Sequence, residues 1–466
     1  MKKQISSVAR AMAALAVAFP ASAQFYQQTN LVSDIPGMAQ IQDAHLVNPW
    51  GVSHSPTSPF WVSDQVTSVS TVYSVNPTTG AVTQVALVVN VPVPSGQVHN
   101  GVTTDFLLSG KSASFIFASL NGSIYGWTGG GSATLAAAGP TPAAYTGIAL
   151  GTLADVQHLY AANPAGNRID VYDNTFANVN ASFAGKWVDP SLPSGIVPFN
   201  VVDIDGDLYV SYAPMSPTVV GLGVIDEFDA SGTFIRRFAT GNATTVPLYD
   251  PWGMVLAPAD FGAFSNDLLV GDFNLGNGAA SPPAGGPGYI LAFDPATGDY
   301  LGMLKGVDSA PLKIDGLWQL IFGNGGSGGN SSKLYFAAGI QNQAHGLFGS
   351  LTTCGGPVIA GASAAPNVLW PPNNKFVPVA IGYSVSDNCD AEPVCSLSVT
   401  AADSRGGINN TADSSAVVDA HNVELLASRN GGGDGRVYSV EISCKDKLPL
   451  SSSAVVTVTV PHDQGH

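Results

Sequence analysis

Charged side chains make up only 11% of this 466-residue sequence. So low a share excludes a fold dominated by long solvated helices and favours short strands joined by turns. Basic residues are the scarcer half: 17 Lys and Arg face 33 Asp and Glu, a formal charge of −16. A surface that tracks phosphates needs the opposite balance, so nucleic acid is not an expected partner. Glutamate almost vanishes from residues 24–353, where Glu227 stands alone. Paired carboxylates for glycoside cleavage therefore find no support, with Asp confined mostly to turns. Cysteine is absent from the first 353 residues, which must be held by packing alone. After the first two dozen residues no apolar run approaches the length of a membrane helix, and no membrane span is expected.

Those first residues form a leader. Lys2, Lys3 and Arg10 precede the apolar run Ala11 to Phe19, and Ala21-Ser22-Ala23 supplies a small-x-small cleavage pattern. The expectation is a signal peptide over 1–23, leaving a secreted, extracellular or periplasmic chain of charge about −19. Cys354, Cys389, Cys395 and Cys444 all lie in the last quarter. In an exported chain they point to two disulfides with three connectivities open, and their spacing lacks the paired CxxC knuckles of a thiolate metal site.

What the sequence has in plenty is repetition. Leu159-Tyr160-Ala161-Ala162, a polar turn from Asn163 to Asn167 and Arg168-Ile169-Asp170-Val171-Tyr172-Asp173 read as a β-hairpin. Blurred versions recur at about 45 to 65 residue intervals, with anchors at Asn48-Pro49-Trp50-Gly51, His99-Asn100-Gly101, Tyr145-Thr146-Gly147, Pro198-Phe199-Asn200, Asp250-Pro251-Trp252-Gly253 and Asp315-Gly316-Leu317-Trp318. Each unit supplies three or four short strands, an inner one first. The expected fold is all-β: a six-bladed β-propeller over 24–353, with the strand Tyr26 to Ser33 completing the last blade. Gly355 to Pro366 reads as a linker. Residues 354–466 then carry about seven alternating strands, a small immunoglobulin-like β-sandwich.

The hairpin at Leu159–Asp173 is similar to the NHL repeat. Thr29-Asn30-Leu31-Val32-Ser33-Asp34, Leu46 to Gly51, Asp250 to Gly253, and Asp315 to Trp318 followed by Gly323 to Gly326 together resemble an uncharacterised family of secreted bacterial β-propeller proteins, some with PEP-CTERM sorting tails. No such tail is expected here. In its place the WPPNNKFVPV segment from Trp370 and Ser386-Asp387-Asn388-Cys389 resemble HYR-type and other immunoglobulin-like modules of bacterial surface proteins. The resemblance implies fold and export, not a reaction.

Propeller ligands usually meet the ring where inner strands begin, so the polar residues beside each anchor are the candidate site. Asn48, Asn100, Asn200, Asp250 and Asp315 form a candidate ligand ring, and His45 and His99 are candidate catalytic residues. A ring of carboxylate and amide oxygens is what Ca²⁺ requires, with Asn48, Asp250 and Asp315 as metal candidates. Six-bladed lactonases of the gluconolactonase and paraoxonase type hold such a metal with a Glu ligand, whereas Glu227 falls here on a third strand. The competing expectation is that these residues cap turns. Asp203-Ile204-Asp205-Gly206-Asp207 reads as a tight hairpin rather than a calcium loop. Gly325-Gly326-Ser327-Gly328-Gly329 fits G-x-S-x-G in letters but not in context. Trp50, Trp252 and Trp318, matched across units, could stack on sugar rings, though packing between blades is favoured. His45, His54, His99, His158 and His345 are available to a hydrolase, with nothing in the sequence to place one beside a serine and an acid. The expected function is a secreted or cell-surface binding protein for an extracellular protein, glycan or small molecule. A Ca²⁺-dependent lactonase- or esterase-like hydrolase is the alternative, and oligomeric state stays open.

Overall fold

The computed structural model describes residues 25–214, 222–242, 244–273, 287–403 and 414–463. The signal peptide expected over 1–23 lies outside the described residues. The described chain is nearly all strand, as so many Val, Ile, Thr and aromatic residues between Gly- and Asn-rich turns would direct.

Up to Thr353 the strands form successive, mainly antiparallel sheets, most of them meanders. The first comprises Pro49–Ser53, Phe60–Asp64, Val69–Val75 and Val82–Asn90. The second runs Pro94–His99, Phe115–Ser119, Ser123–Trp127 and Thr134–Ala138. Gly147–Leu153, Val156–Asn163 and Arg168–Asp173 make a three-stranded sheet that contains the NHL-like hairpin. Ile196–Ile204 and Pro251–Leu256 open the next two sheets, and Leu317–Phe322 opens the last. The last sheet continues through Leu334–Ala338 and Leu347–Thr353, and its next strand is Tyr26–Ser33, from the other end of the ring sequence. Tyr26 pairs Thr353 and Ser33 pairs Leu347.

The first strand of each sheet packs against the first strand of the next, and Leu317–Phe322 packs back against Pro49–Ser53. The sheets therefore ring an axis with their first strands innermost, the arrangement of a β-propeller. Glycine permits the close approach. A Cβ on Gly51 would lie 2.6 Å from the carbonyl oxygen of Ser95, and one on Gly96 would lie 2.8 Å from Gly147 Cα. Real side chains do not tolerate such distances, so those positions need glycine.

Two elements differ most from the sequence reading. The second inner strand is Pro94–His99, so His99 and Asn100 end it rather than begin it. Two prolines and a glycine in Val91-Pro92-Val93-Pro94-Ser95-Gly96 disguise the strand, although Pro at a first strand position forfeits no ladder bond. The expected linker is also mostly strand. Val358–Ala365 pairs with Phe376–Ser386, its Ala, Gly and Ser residues carrying little β signal.

That pair belongs to a sheet with Asn422–Leu426 and Ser415–Val417; a second sheet holds Val394–Asp403, Gly435–Lys445 and Ser451–Pro461. Leu369, Val379, Ile381, Val423 and Leu425 meet Tyr438, Val440, Ile442 and Val458 in one core between them. The open disulfide connectivity resolves as Cys354–Cys389 and Cys395–Cys444. The second bridges directly opposed residues of neighbouring strands. The first ties the residue after the last ring strand to the tail sheets. Beside it, Asn388 Nδ2 donates to Thr353 O at 2.7 Å.

Candidate functional site

At the end where inner strands begin, the axis is filled. Trp50 stacks on Trp318 with ring centroids 3.7 Å apart, and Trp318 stacks on Phe273 at 4.0 Å. Trp252 stands edge-on to both indoles. Leu120 and Phe199 pack around this cluster. The matched tryptophans thus pack on one another across the axis, rather than offering open faces to sugars. Trp318 Nε1 donates to Asn48 Oδ1 at 3.1 Å and Trp252 Nε1 to Thr146 O at 3.2 Å, giving two buried indoles the partners they need.

This plug decides where the candidate ring residues fall. Asn48 is buried, and its amide also donates to Gln65 Oε1 and Gln343 Oε1. Asn100 is buried in its own loop, its amide donating to Val102 O, Ser112 Oγ and Ala113 O. Asn200 donates to Trp252 O at 2.6 Å and ties two inner strands together. Asp315 is exposed in a short strand whose partner is Pro287. His45 bonds Asp43, which also accepts from Tyr73 Oη and Gln84 Nε2. These contacts separate the residues rather than join them at one centre. Among the described residues no group of three or more His, Cys, Asp or Glu side chains is placed to hold a metal ion.

Asp250 has a neighbour the sequence reading missed. Asp272, fully buried, accepts the backbone N–H groups of Tyr249 and Asp250 on Oδ1. Burial raises the Asp250 carboxyl to about 7, and burial with the nearby Asp250 charge raises Asp272 well above the usual carboxylate range. Asp64 ends the corresponding strand of the first sheet. It is also fully buried, accepts from Thr71 Oγ1 at 2.7 Å, and is raised by the same desolvation. The shared signal is an apolar strand ending in Asp, FWVSD and LLVGD.

Toward the end where inner strands finish, the channel opens into a cavity of about 310 Å³. Every one of the first strands named above, or a residue beside it, contributes, with Trp252 and Asn200 in the wall. Val52, Val98, Ile148, Leu150, Val202 and Ile321 supply apolar surface. Besides Asn200, the polar residues are Ser53, His54, Gln97, His99, Asp203 and Gln319. Of the candidate site residues, His99 and Asn200 line it. His54 sets Nδ1 2.9 Å from Ser55 O and Nε2 2.8 Å from Phe322 O. Burial, and then the neighbouring His54, lower His99 below the ordinary imidazole value. Burial, opposed by the Gly206 N–H, raises Asp203. Ser53 Oγ and Gln97 Oε1 are buried without a hydrogen-bond partner among the described residues, while Gln97 Nε2 donates to Gly51 O and Trp61 O.

Serine, histidine and aspartate thus share a cavity without forming a triad: both His54 nitrogens face backbone carbonyls, and Ser53 contacts neither imidazole by hydrogen bond. Ser327 of the G-x-S-x-G run donates to Thr57 O in a loop organised by Asn324, whose Oδ1 accepts from Gly326 and Gly328. Asp203–Asp207 is the tight hairpin expected, with Asp205 and Gly206 at positive φ and Ile204 paired to Asp207.

No protein-family model matches the chain. It is 28% identical to uncharacterized protein R648 of Acanthamoeba polyphaga mimivirus over 342 residues, 69% of this chain and 78% of that protein. It is 31% identical to uncharacterized protein L690 of the same virus over 201 residues, 41% of this chain and 48% of the relative. Among solved structures it is similar to streptogramin B lyase, with TM-score 0.39 and 12% identity over 70% of this chain and 97% of that one. It is also similar to the periplasmic gluconolactonase of Pseudomonas aeruginosa, with TM-score 0.35 and 15% identity over 64% and 82%. At TM-scores below 0.5 these likenesses add nothing to the sheet topology, on which the propeller assignment rests.

Proposed function

We propose that the chain is a secreted binding protein, built as a six-bladed propeller over residues 24–353 with an immunoglobulin-like sandwich over 354–466, and that it receives a small ligand in the propeller channel. The observation that carries this reading is the cavity of about 310 Å³, served by all six inner strands and backed at the other end of the channel by stacked indoles. Apolar side chains interspersed with convergent polar groups suit a small-molecule site. Two disulfides in the tail sheets fit export to an oxidising compartment. No helix among the described residues is long and apolar enough to cross a membrane. The tail sheets would serve as a spacer or adhesion module presenting the ring.

The Ca²⁺-dependent hydrolase has less behind it. Asn48 spends its side chain on Trp318, Gln65 and Gln343, and Asp250 and Asp315 lie in different surroundings. The binding reading is tested by filling the cavity. Ligand-observed NMR of the full chain against small polar metabolites should show saturable binding that Gln319→Trp abolishes. Binding that persists in a folded Gln319→Trp variant would place the site elsewhere and sink the proposal.

A further inference from the structure

The cavity is not chemically uniform around its circumference. Going round the axis, the inner strands follow chain order, so the fourth, Ile196–Ile204, stands across the channel from the first, Pro49–Ser53. His54 follows the first strand directly, His99 ends the second, and Asp203 is near the end of the fourth. All three therefore sit at the finishing end of the channel, with both imidazoles on one side and the carboxylate on the other.

Each side has a distinct hydrogen-bonding capacity. His54 faces a carbonyl oxygen with each ring nitrogen. Both nitrogens are thus engaged by the backbone, which fixes the ring in the cavity wall and leaves it no free donor. His99 makes no ring-nitrogen hydrogen bond among the described residues, which leaves an N–H to offer a ligand. Opposite, Asp203 is half-buried, and its carboxylate reaches over the neighbouring inner strand, where a Cβ on Gly151 would lie 3.3 Å from Oδ2. Asp205 and Asp207 flank it in the same hairpin and add negative potential on that side. Between these poles run the apolar side chains of the channel wall.

Resting on the reading that this cavity binds a small ligand, we propose that its occupant is a small zwitterion of the amino-acid class, its ammonium toward Asp203 and its carboxylate toward the His99 N–H. A cavity of this volume equals about ten water molecules' share of liquid, a suitable scale for such a molecule. A solute with a single charge would leave one polar side of the cavity desolvated and unpaired, an arrangement that costs affinity.

Four probes of similar bulk test this on the full chain by titration calorimetry: phenylalanine, phenethylamine, 3-phenylpropionate and 2-phenylethanol. The expected result is phenylalanine binding at least tenfold more tightly than the other three. Asp203→Asn should weaken phenylalanine and phenethylamine about tenfold and leave 3-phenylpropionate unchanged; His99→Phe should weaken phenylalanine and 3-phenylpropionate but not phenethylamine. If a singly charged or neutral probe binds as well as phenylalanine, and Gln319→Trp abolishes that binding, the zwitterion assignment is overturned while the cavity stands as a ligand site. If none of the four binds, and sorbitol and glucose also fail, both readings fall. The two substitutions lie near the channel mouth, and retention of the wild-type melting temperature separates lost recognition from lost fold.

Discussion

Asp170 shows how much of the ring depends on single buried carboxylates. It is fully buried and accepts from Tyr145 Oη at 2.9 Å, Asn163 Nδ2 at 2.8 Å, Asn180 Nδ2 at 2.7 Å and Arg168 Nε at 2.5 Å. Truncation would strand four donors at once. Asp170→Ala should lower unfolding free energy by about 3–5 kcal/mol, the usual cost of breaking a buried charged network, as read by chemical denaturation. Tyr145→Phe removes one hydroxyl and should cost about 1 kcal/mol. The Asp250 carboxyl gives a second test at this scale. A carboxyl raised to about 7 holds its proton more tightly folded than unfolded, so its contribution is complete below about pH 4, the ordinary Asp value, and drains away as pH rises toward 7. Asp250→Asn should therefore narrow the difference in melting temperature between pH 4.5 and 7.5, with its relative gain at the higher pH. An unchanged difference would show that Asp250 does not titrate in this range. The hairpin around Asp170 was legible in the sequence because turn chemistry and alternation are local. The partners of Asp250 and Asn48 were not, because Asp272 and Trp318 reach them only through the fold.

Strands followed sequence pattern wherever β-branched and aromatic residues alternated, and escaped it where small residues or prolines stood in. Pro94–His99 and Val358–Ala365 are two instances. The first moved a candidate residue. Reading His99 as the start of an inner strand put it with Asn48 and Asp250, whereas as an end it belongs with His54 and Asp203. Of the candidate residues, the fold brings only His99 and Asn200 to the cavity, and the packed indoles fill the end where the expected ring was placed. The tail sheets allow a test at this scale. Cys395→Ser with Cys444→Ser should destabilise the tail by about 2–4 kcal/mol, the common worth of a disulfide, while leaving the transition of the ring in place. Calorimetry with separable transitions would check it; a matching fall in both would mean that the two parts unfold as one.

For the molecule as a whole, repeat spacing anticipated the ring because every sheet must bury its faces against its neighbours. It could not anticipate which polar residues converge, since Asn and Asp before strands also cap turns, as Asn100 does. If the ring residues held a structural Ca²⁺, chelation would lower the melting temperature; given the partners of Asn48 and Asp315, we expect EDTA to leave it unchanged. Closure of the ring has its own consequence in time. Asp34 accepts the backbone N–H of Gly346, 312 residues away, and the neighbouring strands zip Tyr26 to Thr353. The first segment of the ring to emerge during synthesis thus pairs early only with the two-residue strand Ile41–Gln42 and waits for nearly the last to pair its other edge. Until then the Tyr26–Ser33 strand keeps one edge unpaired, the kind of surface that invites pairing between chains. Folding of the ring is consequently a long-range, slow step, and a chain crossing a membrane unfolded would complete it only after nearly all of the ring had arrived on the far side.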